Sequence, residues 1–453
     1  MAEFTLHDIL TATGGNLIGQ EFQKSFTGVS TDTRTLRAGN LFLALKGENF
    51  DGHDYLVRAV DSGAAGVIIG KKDVYVPERT TAVLVDDPLL AFQQLARFHR
   101  RRFSIPVVAI TGSNGKTTTK DMIAAVLSSR LKVLKTQANY NNDVGLPLTL
   151  LNLNRQHQAA VVEMGMRAQG EIRRLAEVAL PTMAVITNVG ETHMEILGSL
   201  ENIAAAKGEL VEAVGKDGLV VLNADNPLVR AMAKRTSARV TFFGFARDAS
   251  VRAENLVVSE RQIAFDCVSP QGVFPVAVPA PGKHNAYNAL AAVAVGLEMG
   301  LTPAEINAGM GTFLPSGMRL NVEIFGDYTV INDAYNASPM SMAAAAEALA
   351  SIAKGRKVAV LGDMLELGDV AVEAHRRVGK KLAEEGIQVV VTVGELARHI
   401  AKAALDSGVD VTVACQTHDE AQEALRKLMR PGDTILIKGS RGMKMETVLT
   451  LFK

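Results

Sequence analysis

Residues 105–127 read IPVVAITGSNGKTTTKDMIAAVL, an apolar strand that turns through Thr111-Gly112-Ser113-Asn114-Gly115-Lys116-Thr117-Thr118 directly into a helix. No other stretch constrains the fold as tightly. Strand, glycine turn and helix must follow in that order if backbone N–H groups and a helix N-terminus are to face one anion. Glycine supplies the turn because it lacks a Cβ to clash with a phosphate oxygen. Lys116 is then expected at the β- and γ-phosphates, and the Thr117 hydroxyl on Mg²⁺. The full phosphate-loop pattern would place a glycine at 110, where Ile110 stands, so the loop is a shortened variant whose first glycine is Gly112. It reads as a site for ATP or GTP.

A loop of this kind belongs to a parallel sheet, and the flanking sequence supplies one. AAVVEM (159–164), MAVITNV (183–189) and GLVVLNA (218–224) are continuous apolar runs, each followed by a helical stretch. Such runs are expected of strands covered on both faces. Residues 250–280 read as short alternating strands and 285–299 as a small-residue helix. After a break at LPSGMR (314–319) the alternation restarts with TVINDA, KVAVLGD, QVVVTVG, VTVAC and DTILIKG, a second sheet of about five strands. Residues 1 to about 84 form a smaller α/β unit, with a helix over 53–62 and a strand at AAGVIIG. At 453 residues, two or three domains are expected. The division falls at 1–84, 85–313 and 314–453.

Ligands in open α/β sheets sit beyond the carboxyl ends of the strands. Glu163 and Asn188 end two of them, and His193 follows in the next loop. A carboxylate beside a triphosphate is a natural Mg²⁺ ligand. Lys207, flanked by Ala204–Ala206 and Gly208, reads by itself as a surface lysine whose stem lies along the helix. RFHRRR (97–102) reads as the basic end of a helix, favoured by its dipole.

Composition removes whole classes of function. Lys plus Arg and Asp plus Glu each number 48, so no bulk basic surface is available for nucleic acid. Two cysteines exclude a disulfide framework and suit a reducing compartment. MAEFTLHDIL lacks the basic start and apolar run of a signal peptide, and no apolar stretch is long enough to span a bilayer. A cytoplasmic location without membrane insertion is expected.

TGSNGKTTTK, VVEMG, TNVGETHME with AAAKGEL, GKHNAYNALAA followed by Met318-Arg319, and NDAYNASPMS resemble, in order and spacing over nearly the whole chain, the Mur ligases of peptidoglycan synthesis. The resemblance implies an α/β protein of three domains: a small N-terminal α/β domain, a central P-loop parallel-sheet ATPase domain, and a C-terminal Rossmann-like domain. Within the family, STDTR (30–34), the LKGENFDGHDY run around Lys46, TQANYNNDVGLP (136–147), LGDMLELG (361–368) and KGSRGMKME (438–446) are similar to the branch that joins D-alanyl-D-alanine to UDP-N-acetylmuramoyl-tripeptide. ATP and Mg²⁺ are the implied cofactors, the two small molecules the partners, and a monomer the implied state.

By position, Gly112, Ser113, Asn114, Gly115, Lys116, Thr117 and Thr118 would hold the triphosphate, with Asn285 and Asn288 on the adenine side and Arg319 and Asp333 reaching in from the third domain. Lys116, Glu163, His193 and Lys207 are the implied catalytic residues. Thr117, Glu163, His193 and Lys207 are the implied metal set, the lysine as a carbamate. Thr31, Asp32, Thr33, Arg34 and Lys46 would hold the uridine diphosphate. Asn139, Asn142, Asn336, Ser440 and Arg441 would touch the remaining substrate.

Two sibling activities compete. Folylpolyglutamate synthetases lack the first domain, and ligases adding the third peptide residue usually carry a D-N-P-R motif that is absent from 314–453. A P-loop switch or motor ATPase is the alternative from another class; the asparagine-rich 139–142 loop and the separate third sheet speak for a second bulky substrate instead.

Overall fold

The computed structural model describes residues 2–315 and 317–452. Met1, Lys453 and Ser316, the last inside the LPSGMR break, lie outside the described residues.

The central sheet has nine strands. Val107–Thr111 lies between Ala159–Glu163 and Met183–Ile186, both parallel to it. The chain therefore leaves this strand in opposite directions, which opens a crevice at its carboxyl end, where the phosphate loop begins. Val107–Thr111, Ala159–Glu163 and Leu219–Asn223 are buried at every residue. Helices on both faces account for the unbroken apolar runs in the sequence. The alternating strands at 250–280 extend this same sheet: Val251–Val258 is parallel to Arg239–Gly244, and Ile263–Ser269 and Gly272–Val278 follow as an antiparallel meander. Gly272–Val278 alternates between exposed and buried because one of its faces meets solvent.

The C-terminal sheet has six strands where the sequence suggested about five. The extra one, Asn321–Phe325, is an antiparallel edge strand joined to Tyr328–Asp333 by a turn through Gly326, whose φ is 58°. It offers no apolar run because none of its residues is buried. The N-terminal sheet orders Asn16–Ile18, Thr81–Leu84, Gly66–Ile69, Leu41–Leu43 and Val29–Ser30, with only the first antiparallel to its neighbour. The helix expected at 53–62 is a 3-10 turn, Gly52–Tyr55, running into Leu56–Asp61.

Helix Pro88–Arg100 links the first two sheets. Asp87 caps it by accepting from the N–H groups of Leu89 and Leu90. Its basic last turn is where the sequence put it, but Arg100 does more than answer the dipole. It is buried, and its guanidinium donates to the carbonyls of Ala179 and Ile105.

The apolar cores show how the sheets are joined. One cluster runs continuously from Phe4, Phe26 and Leu41 through Phe92 and Leu95 to Val107, Val162 and Ile186. The N-terminal and central sheets thus share a core. The C-terminal sheet keeps two clusters of its own, and among the described residues no cluster crosses from Phe313 to Met318.

Candidate active site between the central and C-terminal sheets

Backbone geometry dictates the two glycines of the phosphate loop. A Cβ on Gly112 would lie 1.9 Å from Thr187 Oγ1, and one on Gly115, at φ 79°, would lie 2.6 Å from Asn288 Oδ1. The Ser113 N–H donates to the Asn188 carbonyl at 2.9 Å and the Asn114 N–H to Asn188 Oδ1 at 2.8 Å. These two donors therefore position the loop and do not face the cavity, unlike the whole-loop cradle expected from the sequence. Helix Lys116–Ser128 starts its hydrogen bonding with the Thr119 N–H on the Gly115 carbonyl. The N–H groups of Gly115 through Thr118 are left as the open donors, at the positive end of the helix dipole. Lys116 Nζ folds back onto the Gly112 carbonyl at 2.7 Å. Burial lowers its pKa most; Glu163 opposes that shift and Arg319 adds to it.

Glu163 ends its strand 2% exposed. Asn141 Nδ2 donates to its Oε1 at 2.8 Å, while its Oε2 is buried without a partner. The Thr117 hydroxyl likewise has no hydrogen-bond partner among the described residues. One hydroxyl and one orphaned carboxylate oxygen fit Mg²⁺, which takes few protein oxygens and draws the rest from phosphates and water. Among the described residues no three His, Cys, Asp or Glu side chains gather as a metal cluster.

His193 adopts φ 56°, a left-handed conformation that costs a non-glycine residue about 1–3 kcal/mol. Its Nδ1 lies 2.6 Å from Glu366 Oε2, in the loop that follows strand Lys357–Gly362 of the C-terminal sheet, within ion-pair range but off the line of a hydrogen bond. Lys207 is 2% exposed, not the surface lysine its own helix suggested. Burial first, and then the Lys116 ammonium, hold its amine well below the ordinary lysine range. Among the described residues it has no carboxylate partner.

Asn285 and Asn288 form a buried chain. Thr119 Oγ1 donates to Asn288 Oδ1, Asn288 Nδ2 to Asn285 Oδ1, and Asn285 Nδ2 to the Pro281 carbonyl. Their polar atoms thus brace the start of the phosphate-loop helix. Opposite them, the Arg319 guanidinium stacks 4.1 Å from the Tyr335 ring centroid. Asp333 accepts from the Leu320 N–H and, at 2.5 Å, from buried Lys438. Ser440 Oγ accepts from the Leu365 N–H, Asn336 Oδ1 from the Arg441 N–H, and Arg441 pairs with Glu446.

Most of these residues surround one cavity of about 930 Å³; Gly112 and Lys207 are not among those that line it. The phosphate loop, Glu163, His193, Asn285 and Asn288 line one wall; Arg319, Asp333, Asn336, Ser440 and Arg441 line the other. Asn139 and Asn142 also border it, but Asn142 Oδ1 accepts from the Gly145 N–H at 2.8 Å and so caps helix Gly145–Leu150. Thr31, Asp32, Thr33, Arg34 and Lys46 do not line this cavity. Asp32 instead holds Arg34 through a bidentate pair, which lowers its own pKa to about 2. Residue-by-residue reading missed Asn141, Lys438 and Glu366. The first is indistinguishable by pattern from its asparagine neighbours, and the other two face the site only once the two sheets meet.

The two sheets meet through polar contacts. Ser338 Oγ donates to Asn114 Oδ1 at 2.9 Å, Arg377 pairs with Glu191 at 2.5 Å and Lys354 with Glu260 at 2.9 Å.

The chain matches the descriptions "Mur ligase family, catalytic domain" over residues 25–100, "Mur ligase middle domain" over 110–296 and "Mur ligase, glutamate ligase domain" over 318–441. It is 39% identical to the UDP-N-acetylmuramoyl-tripeptide--D-alanyl-D-alanine ligase of Bacillus subtilis, across 99% of this chain and 98% of that one. The Escherichia coli enzyme of the same name is 36% identical, with the same 99% and 98% coverage. Among solved structures, MurF from Acinetobacter baumannii superposes with a TM-score of 0.91 at 33% identity, covering 99% of this chain and 98% of that one. MurF ligase from Thermotoga maritima in complex with ADP gives 0.84 at 29% identity, covering 94% and 96%. A Mycobacterium tuberculosis folylpolyglutamate synthase, at 20% identity and a TM-score of 0.65 over 80% of this chain and 93% of that one, shares the fold. The chain, with its phosphate loop facing the C-terminal sheet across one cavity and its length matched by these relatives, belongs to the Mur ligase family.

Proposed function

We propose that the protein joins D-alanyl-D-alanine to UDP-N-acetylmuramoyl-tripeptide at the expense of ATP, a cytoplasmic step of peptidoglycan synthesis. The observation that carries this reading is the two-walled cavity, with open phosphate-binding donors on one side and polar groups of a separate sheet on the other. The relatives named for this reaction match over the full length.

The chemistry follows from what the walls offer. The terminal carboxylate of the tripeptide attacks the γ-phosphorus, and the bond to the β-phosphate oxygen breaks with release of ADP. The N–H groups of Gly115–Thr118, with Lys116 and Arg319, oppose the negative charge that spreads over the transferring group. Thr117 and Glu163 would hold Mg²⁺, which neutralises phosphate charge. The dipeptide amine then attacks the acyl carbon, loses a proton, and the tetrahedral adduct expels phosphate to leave the amide. Docking of the C-terminal sheet keeps water from the acyl phosphate.

Residues 1–84 are assigned to the uridine diphosphate, 85–313 to ATP and 314–453 to the second substrate. Thr31–Arg34 and Lys46 lie outside the cavity, which suits a long substrate that enters it only with its peptide end. Lys207 is assigned as a carbamate: a buried neutral amine can add to carbon dioxide, release one proton and become an oxygen donor toward metal.

Phosphate release measured with ATP, Mg²⁺ and each acceptor in turn tests the reading. Release is expected only when the UDP-linked tripeptide and the dipeptide are both present. Release that ignores the dipeptide, or that accepts a free third-position amino acid on a UDP-linked dipeptide instead, would overturn it.

A further inference from the structure

The segment 190–195 carries His193, and the C-terminal sheet grips it at several points. Arg377, on helix Ala371–Glu384, donates to Glu191 Oε2 at 2.5 Å. The Glu195 N–H donates to the Glu366 carbonyl at 3.2 Å. Gly368, at φ 54°, packs so closely that a Cβ there would lie 3.1 Å from Glu195 Cα. Glu366 Oε2 stands 2.6 Å from His193 Nδ1. Both of these residues, His193 at φ 56° and Glu366 at φ 63°, hold left-handed backbones, so each is kept in place by its surroundings and not by its own preference.

His193 Nδ1 is buried without a hydrogen-bond partner among the described residues, and the carboxylate that stands 2.6 Å from it comes from the opposite domain. Among the described residues no hydrogen bond or ion pair from the central domain reaches the ring. With Nδ1 beside the carboxylate, Nε2 is the ring nitrogen left free to act in the cavity that His193 lines.

We propose that Glu366 is a positioning residue, brought to His193 only when the C-terminal domain docks, and that the Arg377–Glu191 pair latches it there. Docking thus sets the orientation of a cavity-lining imidazole, and the site is complete only in the closed arrangement. This extends the ligase reading by naming how closure reaches the central wall, and it rests on that reading for its turnover arm alone.

Three measurements on the full chain test it. In Mn²⁺ titrations followed by electron paramagnetic resonance, with a non-hydrolysable ATP analogue and the UDP-linked acceptor, Glu366→Gln should bind Mn²⁺ about 10-fold more weakly than wild type. Without ligands the two proteins should bind Mn²⁺ alike. In steady state, Glu366→Gln should lower kcat about 10–100-fold and leave the KM for ATP within about twofold. Arg377→Ala should weaken closed-state Mn²⁺ binding in the same direction, and Arg377→Lys should restore part of it. Unchanged Mn²⁺ binding and kcat in Glu366→Gln would overturn the proposal. So would an equal loss with and without ligands, or a fall in melting temperature that Arg377→Lys does not repair, since either marks a merely structural contact. The Mn²⁺ arm needs no turnover, so a failure of the dipeptide requirement in wild type would sink the ligase reading and leave this one standing.

Discussion

Lys207 shows how burial turns an ordinary side chain into a reagent. In a helix of small residues its ammonium has no carboxylate to pair with and has Lys116 nearby, so both burial and repulsion favour the neutral amine. Lys207→Ala is expected to lose turnover while keeping the wild-type melting temperature within a few degrees, and short carboxylic acids should restore part of the rate by supplying the missing oxygens. Failure of that rescue, with the variant folded, would count against the carbamate. Lys116→Ala should cost about 10²–10³ in kcat, because it removes a charge aimed at the transferring phosphoryl group, and retained activity would refute that role. Cys267 gives a pH prediction of a different kind. Burial pushes its thiol up to about 12, whereas an unfolded thiol ionises near 8.5. Between those values the unfolded chain has lost the proton that the folded chain keeps, so stability falls as pH rises. The slope approaches about 1.4 kcal/mol per pH unit. Urea unfolding at pH 8 and pH 10 reads it, and a Cys267→Ala control should show a smaller loss over the same interval.

At the scale of elements, Asn142 separates two readings. The sequence places it among substrate contacts, but its side chain caps helix Gly145–Leu150 through the Gly145 N–H. Asn142→Ala should therefore cost about 1 kcal/mol in urea unfolding and leave the acceptor KM within about threefold. A KM raised tenfold with unchanged stability would return it to the substrate. The neighbouring Asn141 is the residue that reaches Glu163. Nothing in the string NYNND distinguishes these asparagines, because which of them turns inward depends on a loop whose backbone no local pattern dictates. The opposite holds for the phosphate loop and the buried parallel strands. Their signals are local, an unbroken apolar run and a glycine turn, and local signals can be read without the fold. Edge strand Asn321–Phe325 escaped notice for the same reason, since half-exposed residues leave no run. Lys207 was misjudged because burial there is imposed by packing from other elements, and not by its own helix.

On the scale of the whole molecule, zero formal charge conceals a local concentration of cations. Lys116 and Arg319 converge on the neighbourhood of Glu163, and burial makes that charge costly until an anion arrives. The cores say which part of the molecule can move to admit one. The N-terminal and central sheets share an apolar cluster, so separating them would expose core. Among the described residues the C-terminal sheet has only its own clusters, and the links that hold it to the centre are Ser338–Asn114, Arg377–Glu191, Lys354–Glu260, the Glu195 N–H on the Glu366 carbonyl, the packing of Gly368 on Glu195 and the approach of Glu366 to His193. Lys354 is 81% exposed and Arg377 49%. Solvent-exposed pairs of this kind contribute about 0–1 kcal/mol each and are screened by salt. The unliganded chain should accordingly open by movement of the C-terminal domain away from the central one, and more so as ionic strength rises. Small-angle scattering should give a larger radius of gyration at about 0.5 M than at about 0.05 M salt, where the Debye length shrinks severalfold. Adding an ATP analogue with the UDP-linked acceptor should return the chain to the compact value at either salt, because the ligand anions replace the lost attraction with contacts to both walls. A radius that ignores both salt and ligands would mean the domains are locked, and the cavity would then have to fill without opening.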